Sequence, residues 1–425
     1  MIDRSVAPSQ KEIEKIEFAE AQSVVFSSGI RCHSILQEDC KVVKLELEFD
    51  AGSKFQNKAL LASMVNDLII EGSDRFSAYE VASYFDNEGA FLDTSCSADK
   101  ASVVLHCLER SIPKLLPYLK EVLATANFPQ KEIETYLKIN AQKFEVNQKK
   151  VGWVARNEFM EELLGKKHPY SWKVEANNYL QVRREDLVSF YNEKYKSAAY
   201  QIYLSGKVTD DVLNTVREVF NQPFVESKES FESILPEEPS SSEMKLIEKK
   251  DSIQSAIRLG AVTINRRHPD FPALFMANTI LGGYFGSRLM SNIREDKGYT
   301  YGIGSGVIHL EDLSYFIIST EVGSEVTAAT LKEIEFEMNQ LHTELVSEEE
   351  LKLVKNYILG NVMKGFDGSF SAMSRFQMLN HHGLGYDYYE NFIEEIKRMN
   401  PLNIQVVARS YMDYSRLKKI VVGKL

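Results

Sequence analysis

The chain has 425 residues, a formal net charge of -11, and 44% hydrophobic and 26% charged residues. That length exceeds one ordinary core and points to a soluble protein of two or more domains. The acidic balance, with a pI near 5.4, argues against a broad nucleic-acid or anionic-membrane surface.

The amino terminus, MIDRSVAPSQKEIEKIEF, lacks the apolar stretch of a signal peptide. No run approaches the roughly 18 uninterrupted apolar residues of a membrane span, so the cytoplasm is the expected address. Cys32, Cys40, Cys96 and Cys107 form no CxxC pair and read as reduced, mostly buried thiols.

The first strong pattern is residues 41–49, KVVKLELEF, whose apolar and charged positions alternate as in a half-buried strand. An apolar helix is expected over 59–70, ending near Gly72, and a second over 77–87 before Gly89. Strands fit 90–97 and 101–107, with a helix next over 112–126 and another whose first turn begins at Pro129. Helical stretches at 151–164 and 184–195 precede a strand at 200–204 that reaches Gly206.

Residues 226–245, ESKESFESILPEEPSSSEMK, read as a linker between a first domain, 1–225, and a second, 246–425. The second half of the chain repeats the pattern of the first. Gly72 and Gly286 both precede Ser at a separation of about 214 residues (286 minus 72). Glu132 and Glu350 head similar helices about 218 apart (350 minus 132), and Gly206 and Gly423 close similar strands about 217 apart (423 minus 206). Offsets this steady indicate a duplicated domain. In the second copy, Ser347 and Glu350 form the S-x-x-E of a capping box.

The densest stretch is 281–306, LGGYFGSRLMSNIREDKGYTYGIGSG. Gly282, Gly283 and Gly286 permit positive φ or close backbone approach; Leu289, Met290 and Ile293 then recur at helical spacing. Gly298 closes that helix, and Tyr299, Tyr301 and Ile303 alternate with small residues as a strand leaves it. Arg294 in the last helical turn and Tyr301 on the strand could together donate hydrogen bonds to a carbonyl or a developing oxyanion. Read locally, they are equally an arginine favouring its helix C-terminus and a half-buried strand tyrosine.

This stretch is similar to the second-domain signature of the M16 metallopeptidase family, the group of insulin-degrading enzyme, pitrilysin and the mitochondrial processing peptidase. In that signature an Arg and a Tyr seven positions later contact substrate, and Arg294 and Tyr301 match in type and spacing. The AGSK at Ala51, the HPY at His168 and the HPDFPAL at His268 fit the same pattern. The resemblance covers nearly the whole chain. It implies an α+β fold of two similar domains, each a mostly antiparallel sheet layered with helices, facing each other across a cavity.

Active members carry H-x-x-E-H on the first long helix, with two His binding zinc and the Glu placed to activate the metal-bound water. Aligning Gly72 and Ser73 with the family's Gly-Thr puts Ser63, Asn66 and Asp67 at those positions, and none is His or Glu. The family's third ligand has its nearest match in Glu145, about one position out of register, which reads otherwise as a solvated helix residue. The remaining histidines offer no pair one helical turn apart. The strand beside the zinc, on which an extended peptide can add, corresponds to Gly89, Ala90, Phe91, Leu92, Asp93 and Thr94. Asp93 replaces the family's Asn there and cannot donate its amide hydrogen bond.

An Arg and Tyr pair beside an erased zinc motif implies the zinc-less chain of a two-chain peptidase. This chain would bind no cofactor itself and would contribute substrate-binding residues to a zinc-bearing M16 subunit that hydrolyses peptides. Self-pairing into a homodimer in isolation is left open. The alternatives are a non-catalytic peptide-binding or scaffold protein of the same fold and, more weakly, a self-sufficient hydrolase with an atypical metal site.

Overall fold

The computed structural model describes residues 16–196, 200–221 and 244–425. Its first half runs β1 (Gln22–Val25), β2 (Arg31–Leu36), β3 (Val42–Phe49), α1 (Leu61–Leu68), α2 (Ala78–Asn87), β4 (Phe91–Cys96), β5 (Ala101–Leu108), α3 (Ile112–Ala124), α4 (Gln130–Asn147), α5 (Val151–Leu164), α6 (Asn178–Gln181), α7 (Arg184–Tyr191), β6 (Tyr200–Gly206) and α8 (Asp210–Phe220). The second runs β7 (Lys245–Glu248), β8 (Gln254–Thr263), α9 (Phe271–Asn278), β9 (Thr300–His309), β10 (Ser314–Gly323), α10 (Thr327–Thr343), α11 (Glu348–Lys364), α12 (Ser369–His381), α13 (Asp387–Arg398), α14 (Pro401–Tyr411) and β11 (Lys418–Gly423). Residues 226–243 of the expected linker lie outside the described residues, and Lys245 already belongs to β7. Among the described residues no helix is long and apolar enough to cross a membrane.

The alternation of residues 41–49 becomes β3, whose Val43, Leu45 and Leu47 are fully buried under the first helical layer. The first sheet has the order β1-β2-β6-β3-β5-β4 and the second β7-β11-β8-β10-β9. Without β1 the two orders correspond strand for strand, including the one parallel pair in each, β2 with β6 and β7 with β11. Two α+β domains with mostly antiparallel sheets are therefore present. The repeat glycines sit at equivalent strand ends: Gly206 has φ +101° and Gly423 φ +137°, and a Cβ would lie 2.0 Å from the Val42 carbonyl oxygen or 2.5 Å from the Ser255 hydroxyl. Neither place admits another residue without the backbone moving.

The halves also exchange helices. Although α5 belongs to the first half, its Val151, Ala155, Phe159 and Leu163 pack with Ala256, Ile420 and Val422 of the second sheet. Its counterpart α12, which begins 218 residues later (369 minus 151), lies against β2 and β6 of the first. Each sheet thus has its own helices on one face and a helix of the other half on the opposite face. A boundary near residue 225 divides the chain but not this packing.

A buried ionic knot ties the hairpin tips of the two sheets together. Lys54 of the AGSK turn reaches Asp99 at 3.0 Å, Glu311 at 2.8 Å and Asp312 at 3.1 Å. The Tyr170 hydroxyl of the HPY turn lies 2.5 Å from an Asp99 oxygen and 2.8 Å from an Asp312 oxygen, with one proton to share between them. Burial works against the Lys54 charge, but the Glu311 and Asp99 carboxylates outweigh it and hold its pKa above the usual lysine value. Beside the knot, a cavity of about 530 Å³ opens between the halves, lined by Glu48 and Lys100 from the first and by Arg266, His309 and His381 from the second.

Several element ends shift from expectation. Pro129 stands at the N-cap of α4, one position before its first turn. Helix α7 loosens into a π-helical turn over Asn192–Lys196 before β6. Ser347 does cap α11, accepting from the Glu350 N–H at 3.1 Å, but the Glu350 carboxylate turns away to a bidentate pair with Arg288 at 3.0 and 2.8 Å. The capping box is therefore half formed, because a two-point charged contact outweighs one neutral N–H.

Candidate functional site

The stretch after α9 is built from two π-helical turns, Thr279–Gly283 and Met290–Asp296, where helical spacing predicts ordinary α-helix. Such wide turns concentrate at functional sites. Leu289, Met290 and Ile293 anchor the second turn in the core, as their spacing requires. Of the three glycines before it none has positive φ. Gly282 makes the close approach, since a Cβ there would lie 2.6 Å from the Ser305 backbone nitrogen on β9. Gly298, at φ +66°, ends the helix, and the Tyr299 N–H returns to the Ile293 carbonyl at 3.0 Å. That reversal brings Arg294 and Tyr301 together: the Arg294 Cζ lies 5.5 Å from the Tyr301 ring centroid. Tyr301 is 93% exposed, and Phe285, 62% exposed, lies 4.6 Å from the same guanidinium. Among the described residues no carboxylate pairs with Arg294. Lys297, three residues on, is by contrast held by Glu333 and Asn292.

In the first half, the α1 residues aligned with the family's H-x-x-E-H are engaged in protein contacts. Asn66 on α1 is fully buried; its amide donates to the Ser102 carbonyl on β5 at 3.3 Å and accepts from the Tyr195 hydroxyl at 2.9 Å. Asp67 accepts from Thr94 on β4 at 3.2 Å and from Tyr136 on α4 at 3.1 Å, one donor on each carboxylate oxygen. Ser63 donates back to the Leu60 carbonyl at 3.0 Å. Burial pushes the Asp67 carboxyl above its usual range, against the pull of Tyr136, Thr94 and the Lys143 charge. Glu145 is exposed on α4; the α4 side chain that reaches Asp67 is Tyr136, with the exposed Lys143 charge acting on it from farther off. A hydroxyl, a committed amide and one carboxylate do not fit a zinc ion, which needs about four Cys, His or carboxylate ligands. Among the described residues no group of His, Cys, Asp and Glu is arranged to hold a metal.

Comparison with known proteins gives the family. Residues 34–168 match the family described as Insulinase (Peptidase family M16), and residues 181–358 match the Peptidase M16 inactive domain. The chain belongs to peptidase family M16. This M16 chain is 22% identical over 388 residues to an uncharacterized zinc protease of Bacillus subtilis, covering 89% of this chain and 92% of that one. It is 20% identical to the human mitochondrial-processing peptidase subunit beta, covering 82% of this chain and 73% of that protein. Its fold is shared with the peptidase M16 inactive domain from Pseudomonas fluorescens, at TM-score 0.84 and 23% identity over 95% of this chain and 98% of that one. A protease from Helicobacter pylori is similar too, at TM-score 0.86 and 16% identity over 96% of this chain and all of the other, 100%.

Within the M16 fold, residues 89–94 run from the end of α2 into β4, the outermost strand of the first sheet. Leu92 and Thr94 face the helical layer, whereas Phe91, 71% exposed, and Asp93 face outward. A cleft of about 220 Å³ lies along this strand, lined by Ile70, Val81, Phe85, Ala90, Phe91 and Asp93. An outermost strand has one row of backbone groups free to pair with an extended peptide, and the cleft could take an apolar side chain of it.

Sequence reasoning missed Phe285, Tyr136, Lys143 and Tyr195. The first sits inside the glycine-rich signature, so its aromatic character was visible. The other three are brought to α1 only by tertiary packing.

Proposed function

We propose that this M16 chain is the zinc-less subunit of a two-chain peptidase, binding an extended peptide through Arg294 and Tyr301 while a partner of the same family carries the zinc and cleaves it. The observation that carries this reading is the contrast in hydrogen-bond commitment. Asn66 and Asp67 are used up by the protein, whereas half-buried Arg294 and exposed Tyr301 have no polar side-chain partner among the described residues. A guanidinium and a phenol at one surface supply donors to a peptide carbonyl and to negative charge that develops on it. The partner's zinc supplies the activated water.

The chain should therefore be inert alone. Purified by itself it should contain well under one zinc per chain and leave an unstructured peptide intact. Purified from its own cells it should bring with it an M16 chain containing H-x-x-E-H. Stoichiometric zinc lost on substituting Asp67, together with cleavage by the single chain, would contradict the proposal. A second reading, a peptide-binding scaffold, is favoured by the cleft along β4, which needs no metal to accept a strand. Peptide binding without any zinc-bearing partner in native extracts would select it.

A further inference from the structure

Arg294 is the centre of the proposed peptide contact, yet no polar group among the described residues orients it. An arginine side chain has four rotatable bonds, and a freely rotating one would lose much of its affinity to ordering. The usual restraint is a carboxylate, but a carboxylate occupies the in-plane N–H groups that a peptide would need. An aromatic face restrains the guanidinium differently. Stacking uses the flat face of the cation and leaves its in-plane donors vacant.

Phe285 supplies such a face. Its ring centroid is 4.6 Å from the Arg294 Cζ, nearer than the Tyr301 ring at 5.5 Å. The ring is 62% exposed and has no polar atom that would gain from water. Its neighbour Tyr284 packs on Tyr357 at 4.9 Å and is half-buried, whereas Phe285 has its ring outside. Phe285 also lies between the two π-helical turns, each tied to the core or to β9. Its backbone is therefore fixed where the side chain stands out.

We propose that Phe285 is a positioning residue for peptide binding, holding the Arg294 guanidinium flat so that its in-plane N–H groups face an incoming peptide carbonyl beside Tyr301. This inference rests on the proposed function and adds the residue that makes its arginine competent.

The test uses the full chain and fluorescein-labelled oxidised insulin B chain as the peptide probe. Phe285→Leu, Phe285→Tyr and Arg294→Ala are compared by peptide affinity, thermal midpoint and the NMR resonance of the Arg294 side-chain Nε–Hε, assigned by its loss in Arg294→Ala. In the wild type that resonance should carry ring-current shifts. Phe285→Leu should move it toward the free-arginine position and weaken peptide binding about two- to fivefold, the effect of one exposed cation–π contact, at an unchanged thermal midpoint. Phe285→Tyr should keep both wild-type values. An unmoved resonance and undiminished affinity in Phe285→Leu overturn the inference. Loss of affinity in Arg294→Ala with wild-type affinity in Phe285→Leu overturns it alone. Wild-type affinity in Arg294→Ala overturns the reading beneath it, and this inference with it.

Discussion

The two halves share one strand order, yet their chemistry has gone opposite ways. In the first half, helix α1 presents Asn66 and Asp67 to β5, β4, α4 and Tyr195, and their amide and carboxylate atoms are taken up by those neighbours. In the second half, the turn between α9 and β9 presents Phe285, Arg294 and Tyr301 outward, linked to one another by ring contacts. An unpaired buried polar group is costly, and Asn66 and Asp67 are both paired within the first half. Half-buried Arg294 and exposed Tyr301 carry less of that demand, and under the proposed function they are where the peptide binds.

That contrast makes graded predictions about stability. The largest effect should come from the junction that holds both regions in register. Lys54→Met takes the shared cation from Asp99 and Asp312, while Glu311 keeps Lys100 at 2.7 Å, and should cost about 3–5 kcal/mol in urea denaturation. A cost near zero would mean that the halves are held by apolar packing alone.

Next comes the closed site itself. Asn66→Ala leaves the Tyr195 hydroxyl without its acceptor in the core, and should cost about 1–3 kcal/mol in the same assay. If Asn66→Ala proved neutral, the first-half positions would be no more committed than the second.

Asp67→Asn sharpens the comparison through pH. A carboxyl whose folded pKa is raised binds more protons in the native state than in the unfolded chain, so its contribution to stability falls as pH rises through the folded pKa. Replacing it with an amide removes that slope. Relative to wild type, Asp67→Asn should gain in denaturation midpoint as pH rises above the ordinary aspartate range, because only the carboxyl loses its contribution there. Parallel profiles would show that Asp67 is not strained by burial.

The smallest effect should fall in the second half. Arg294→Ala and Tyr301→Phe remove no core group and no polar partner, and should each shift stability by about 0.5 kcal/mol or less. Losses of several kcal/mol would reclassify the pair as structural.

Much of this arrangement was legible in the sequence because it depended on short-range pattern. The alternation of VVKLELEF located the centre of the first sheet, and the repeated glycines located the duplication, since Gly206 and Gly423 occupy backbone places that exclude a Cβ. The Arg294 and Tyr301 encounter arose from a helix end, a glycine and a strand in a fixed order. Other features were silent for physical reasons. The exchange of α5 and α12 leaves no local trace, because a helix reads the same whichever sheet it covers. The π-helical turns keep a near-helical apolar spacing, so periodicity alone returns an α-helix. Acting on Asp67, Tyr136 and Lys143 come from a helix more than sixty residues away in sequence, and counting along the chain led instead to Glu145.

If the proposed function holds, the binding chemistry of this M16 chain resides in Arg294 and Tyr301 and acts on a partner's reaction. The most direct test mixes wild type, Arg294→Ala or Tyr301→Phe with the zinc-bearing chain, confirms complex formation by size, and measures cleavage of an unstructured peptide. Each variant should assemble normally and lower kcat/KM by about 100- to 1000-fold, a loss of about 3–4 kcal/mol in transition-state stabilisation. Normal assembly with unchanged cleavage by both variants would contradict the claim and leave the peptide-binding scaffold as the better description.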